Sequence, residues 1–369
     1  MKRLLWLDVA KGLAILIVVY FHFFRTYFEH GILPPPDWTH FGSGLVAFLG
    51  VAWFKISGLG FHAVGVFIIL SGWALMQSTV RRADQGNLAW GKWYQARLLR
   101  LYPMYWVAHL VYLISPFTAR FEKIDGRLIV SLLGLRFIDI TNNFYYLNAA
   151  WWYFAMLIQF YLIFPLLFRA AKSFGPWPFL ILACAIGFLS RYLLLVVLQA
   201  NGMWTQGGFA LCRLPEFALG IALGIWHNRQ PERVERFLLG GLGLLGGLIL
   251  YPFALQLYRG LTNYTFVDFA TGGCCFLVLL GLSGLIARFR YLADTIGLVG
   301  VFSYGIYLIH HPYIIWLGLR IREQPIWLFL LIAAATLAII SAWGIILEKT
   351  INGLVDRLSE KNKPSRRLP

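Results

Sequence analysis

The amino-acid sequence predicts an all-α integral membrane protein of about ten transmembrane helices in one bundle, with both termini cytoplasmic. Three observations carry that expectation. The first is composition: of 369 residues, 59% are hydrophobic and 13% charged, with a mean hydropathy of +0.69. A soluble domain has roughly 45–50% apolar and about 25% charged residues. A single soluble core stops growing near this length, so the surplus apolar surface must face lipid. The second is segmentation, because apolar runs of about 20 residues, the length that crosses a bilayer, recur between mostly short loops. The third is charge placement. The formal net charge is +16, yet Lys and Arg gather between the apolar runs, as topogenic signals do, and no nucleic-acid partner is expected.

In chain order the spans are expected near 5–25, 60–80, 98–116, 150–168, 177–199, 208–228, 236–258, 266–287, 298–318 and 325–347. Met1-Lys2-Arg3 resembles the start of a signal peptide. The run that follows contains Asp8 and Lys11 and reaches His22 without a small-residue cleavage site, so it reads as a retained first helix. The stretch 42–57 is apolar too, but Lys55 and its glycines suit an interfacial or re-entrant piece. Loop 26–59 carries Pro34-Pro35-Pro36-Asp37. Loop 117–149 has an amphipathic stretch at 126–136 and the polar run Thr141-Asn142-Asn143. These two longer loops suit either reception of a bulky acceptor or simple capping of the bundle. Basic loop residues favour the side of the N-terminus by about two to one, which sets the orientation. Residues 1–350 form one transmembrane domain, and 351–369 a basic cytoplasmic tail. Cys184, Cys212, Cys274 and Cys275 lie in apolar stretches with no CxxC pair, as small core residues do.

Ionisable groups inside spans are costly and therefore mark function. In the first helix, Lys11 and His22 stand 11 residues apart, about three turns, on one face and about 16 Å apart. Asp8 is one turn from Lys11 and can pair with it. This stripe suits a long anionic donor whose reactive end leads. Arg97 and Arg100 are i,i+3 neighbours at the start of the third span, placed for phosphates or for ordinary membrane anchoring. The ninth span holds Tyr307, His310 and His311, followed by Pro312, which removes a helical hydrogen bond beside the histidines. Adjacent histidines diverge by about 100° and no carboxylate lies within a turn, so no metal is expected. Arg213 and Glu216 form an i,i+3 ion pair whose burial suits shaping of a cavity, whereas Arg191 and Asp268 need partners from other helices or an interface. Ser71-Gly72 reads as a close helix contact.

Taken together and in order, these segments resemble acyltransferase family 3, integral-membrane O-acyltransferases of polysaccharides and other extracytoplasmic acceptors. Leu7-Asp8-Val9-Ala10-Lys11-Gly12 through His22 is similar to the family's first-helix signature, a basic residue ten intervening positions before a catalytic histidine. Gly65 to Trp73, Arg97 to Pro103, Trp152 to Pro165, Glu216 to Gly220, and Ser303 to His310 resemble its later motifs. Lys11 stands where most members carry Arg, so a bidentate fork becomes a point charge, as in the branch of fucose and polysaccharide O-acetylases. Leu157 and Ile158 occupy positions where many members have glutamates, so no acidic catalytic residue is assigned to the fourth helix.

The resemblance implies an O-acyltransferase of the bacterial inner membrane, which moves an acyl group, by default acetyl, from cytoplasmic acetyl-CoA to a carbohydrate or glycolipid hydroxyl outside. Lys11, Arg97 and Arg100, with Asp8 beside Lys11, would hold the donor. His22 would act as base or acyl carrier, and His310 and Tyr307 would assist. The implied partners are acyl-CoA, the acceptor, membrane lipids and polysaccharide-synthesis machinery. A transporter of lipid-linked or polymeric sugar, and a non-catalytic subunit of a synthase, are the rival readings.

Overall fold

A computed structural model of the chain describes residues 4–27, 44–120, 122–321 and 323–361. Lys2, Arg3, Pro34-Pro35-Pro36-Asp37, Arg322 and residues 362–369 lie outside them. The described residues form helices joined by turns and irregular segments, with no strand among them.

Helix α1 (Leu5–Tyr27) is the first of the apolar helices among the described residues. Helix α2 (Gly44–Gly58) runs through a 3-10 turn into α3 (Ala63–Asp84), and α4 (Trp90–Ile114) follows. The long connection after α4 contains only the short helices α5 (Arg127–Leu132) and α6 (Ile140–Asn143) and a 3-10 turn at Ala149–Trp151. It leads into α7 (Trp152–Phe174) and α8 (Pro176–Tyr192). Irregular turns then connect to α9 (Leu214–Arg229). Helices α8 and α9, and next α10 (Pro231–Leu238), each begin with proline in the first turn, where its missing N–H costs nothing. The remainder are α11 (Gly241–Gln256), α12 (Val267–Ile286), α13 (Arg290–Val301), α14 (Ser303–Ile321) and α15 (Ile326–Lys361), the last running into the stretch expected to be tail.

Among the described residues, six helices are long and apolar enough to cross a membrane, or eight if each of two bent pairs is one span. Of the ten expected spans, α4 and α9 are the two outside that set. Lys92, Arg97 and Arg100 crowd the first turns of α4, and α9 has only 16 residues, about 24 Å. The expected 236–258 span is bent by 48° between α10 and α11. The expected 298–318 span straddles a 74° break between α13 and α14. That break has a local cause. A new helix start leaves N–H groups without partners, and buried Glu348 of α15 accepts the Gly305 N–H at 2.7 Å.

Glycine sets the crossing of α3 and α9. A Cβ at Gly72 would strike the Phe217 carbonyl, and one at Gly220 the Ile69 carbonyl, so α3 and α9 touch backbone to backbone. Leu162, Ile181, Leu242 and Phe253 are exposed on the perimeter, an apolar surface that needs lipid.

Candidate active site

A cavity of about 550 Å³ is enclosed by α1, α3, α12, α14, the connection after α4 and the irregular stretch before α9. His22, Tyr307 and His311 line it. The His22 ring lies 4.8 Å from that of His311, edge to face, and 5.3 Å from that of His310. His310 is fully buried, with Nδ1 2.7 Å from the Tyr307 carbonyl. A carbonyl only accepts, so Nδ1 carries the proton and Nε2 keeps its lone pair, which has no hydrogen-bond partner among the described residues. The Tyr307 hydroxyl is likewise buried without a partner. Two polar atoms left unsatisfied beside a cavity are costly to a fold and available to a ligand.

Proline explains how the neighbouring segment is anchored here. Pro312 has no N–H for the carbonyl one turn earlier, that of Leu308. The Trp151 indole donates to that oxygen at 2.8 Å and the Asn148 amide at 3.2 Å. Ala119 N–H donates to the Pro312 carbonyl at 3.1 Å. The helix therefore continues through Pro312 rather than opening beside the histidines. Arg136, fully buried, holds the same connection together by donating to the carbonyls of Asn143, Phe144 and Tyr146 and to Ser131 Oγ.

The opposite wall is more polar than sequence reasoning foresaw. Asp268 Oδ2 accepts from Arg191 at 2.7 Å and from Arg213 at 2.9 Å, and Arg213 Nε faces Glu216 at 2.9 Å. His62 bonds the hydroxyls of Tyr251 and Tyr258 through its two ring nitrogens, at 2.6 and 2.8 Å. Irregular backbone at membrane depth survives only where protein satisfies it. Gln159 does this before α9, donating to the Gly208 carbonyl at 3.1 Å and accepting from Ala210 N–H at 3.1 Å.

Towards the other end of the bundle a polar seam runs along α3. Val64 lines the cavity; Ser71, seven residues on, meets the Tyr153 hydroxyl at 3.1 Å; Ser78, seven further, accepts from Arg97 at 2.6 Å. Heptad spacing keeps the three on one face over about 21 Å. Arg100 is exposed, within electrostatic reach of Glu348. Lys11 lies 3.6 Å from Asp8, and both stand where α13 crosses α1.

The structure thus gathers His22, Tyr307 and His310, adds His311, and places Arg97 and the Asp8–Lys11 pair on different neighbours. Asp268, Arg191 and His62 share the cavity region through contacts between helices, which spacing along one helix does not reveal. Among the described residues no group of three or more His, Cys, Asp or Glu is placed to hold a metal. A family model described as an acyltransferase domain matches residues 4–344 of the chain. No curated protein matches, and no solved structure does.

Proposed function

Because this chain belongs to acyltransferase family 3, we propose that it transfers an acyl group, acetyl by default, from acyl-CoA at the cytoplasmic face to a carbohydrate or glycolipid hydroxyl on the other side, in the inner membrane of a bacterium. The observation that carries this reading is the meeting of His22, Tyr307 and His311 at one cavity, with the His310 ring 5.3 Å from that of His22. The polar seam supports it from below. Arg97, with Arg100 and Lys11 near the same end, supplies cationic charge for phosphates, and Ser78, Ser71 and Tyr153 offer polar contacts along the way to Tyr307.

In direct transfer, His22 takes the proton of the acceptor hydroxyl as its oxygen attacks the thioester carbonyl. The carbon–sulfur bond then breaks, and the thiolate recovers the proton to leave as CoA-SH. Tyr307 O–H, free of other partners, is suited to donate to the developing oxyanion. In the covalent variant the His22 imidazole attacks the thioester carbonyl, the carbon–sulfur bond breaks and the thiolate takes the imidazole proton to leave as CoA-SH. The acceptor oxygen then attacks the acyl-imidazole, and its proton returns to the released ring. A burst of CoA-SH without acceptor marks the covalent variant; strict acceptor dependence marks direct transfer.

The decisive experiment follows thiol release by purified protein in nanodiscs. His22→Ala should lower acceptor-stimulated release about 10²–10⁴-fold, the range of a lost acid–base group. A normal rate in that variant removes His22 from the chemistry. Movement of sugar across the membrane without consumption of acyl-CoA favours a transporter.

A further inference from the structure

Burying two arginines and two carboxylates rarely stabilises a bundle more than apolar packing would, so the Arg191–Asp268–Arg213–Glu216 array calls for another reason. Arg191, Arg213 and Glu216 are almost wholly buried, whereas Asp268 is 15% exposed and lines the same cavity as His22. Both guanidinium contacts fall on Asp268 Oδ2. Oδ1 takes no protein donor among the described residues and is not among the buried orphan atoms. The array therefore presents one free acceptor oxygen whose charge is already balanced and whose direction is fixed from two sides.

The surroundings define what such an oxygen would meet. Gln206 also lines the cavity; its Oε1 is taken by the Tyr145 hydroxyl, leaving the amide N–H groups. Phe21, Phe61 and Trp152 supply flat apolar faces nearby. Alternating donor and acceptor beside aromatic faces matches a ring that carries several hydroxyls. An anionic ligand group at Oδ1 would set one acceptor oxygen against another with no proton between them.

If the cavity is where the acyl acceptor binds, as proposed above, we propose that Asp268, fixed by Arg191 and Arg213, determines acceptor specificity by accepting a hydrogen bond from a second hydroxyl near the acylated one, which selects an uncharged pyranoside over a uronate.

The test uses the full chain in nanodiscs with acetyl-CoA. The probes are the methyl glycosides of glucose, galactose, mannose, rhamnose and fucose, against methyl glucuronide and methyl galacturonide. Thiol release and the mass of the ester product are read. Wild type should acylate at least one neutral probe and prefer it to the uronates. Asp268→Asn should raise the KM for that neutral probe by about ten-fold or more, the loss of one charge-assisted hydrogen bond. The KM for acetyl-CoA should stay within about two-fold of wild type, because only the acceptor wall is altered. The same variant leaves the wall with excess positive charge, so the preference should shift towards the uronates, which a purely structural role does not produce. Asp268→Glu keeps the charge while moving the oxygen; it should fold as wild type and also raise the acceptor KM, separating recognition from folding. Wild-type preference for a uronate, failure to acylate any neutral probe, or equal effects of Asp268→Asn on neutral and anionic probes would each overturn the assignment. Acceptor-dependent thiol release with a uronate would leave acyl transfer itself standing.

Discussion

Replacing Trp151 by Phe tests how the proline of α14 is accommodated. The substitution removes the indole N–H that donates to the Leu308 carbonyl at 2.8 Å and leaves Asn148 at 3.2 Å as the remaining donor. A net hydrogen bond is worth about 1 kcal/mol. The variant also loses contact with His109, stacked at 3.8 Å, and with Arg136, 5.3 Å from the indole centroid. Packing and hydrogen bonding are separated by a second change. Pro312→Ala restores an N–H for the Leu308 oxygen, so the indole donor becomes redundant while its packing is unchanged. In a double-mutant cycle the packing loss cancels, and Trp151→Phe should cost about 1 kcal/mol less in the Pro312→Ala background. Unfolding of the four proteins in mixed micelles, titrated with denaturing detergent, measures this coupling. Equal costs in both backgrounds would refute the view that Trp151 substitutes for the missing helical donor.

Gly220→Val should destabilise the bundle by about 1–3 kcal/mol, since its side chain must displace the α3 backbone at Ile69; Gly246→Ala, which meets open space, serves as the control in the same unfolding assay. Arg100→Ala should weaken CoA binding, measured calorimetrically, by about ten-fold while the turnover of saturated enzyme changes little. Unchanged CoA affinity would remove Arg100 from donor recognition.

Much of this fold is legible from periodicity and charge, because a lipid-facing helix must be apolar over its whole length. The bounds of α1, α7 and α12 follow from their apolar runs. The break after Val301 does not, since the sequence stays apolar there and the cause, Glu348, lies far along the chain. His22 and Tyr307 stand out singly as polar residues within spans. Their meeting, and the presence of His311 beside them, depends on how α1 crosses α14. Arg191 and Asp268 lack local partners at three or four residues, which was the signal that they pair at long range. Lys11 and Arg97 share a cationic character in the sequence but meet different neighbours, Asp8 of the same helix and Ser78 of α3.

The connection after α4 is fastened in its buried part by hydrogen bonds to neutral oxygens. Arg136 grips three main-chain oxygens, and an indole and a carboxamide grip a fourth. These acceptors are neutral oxygens, main-chain carbonyls and the Ser131 hydroxyl. Acidification or brine that loosens surface ion pairs would leave these buried clasps intact. The wall of the cavity beside His22 thus owes its shape to bonds formed within the fold.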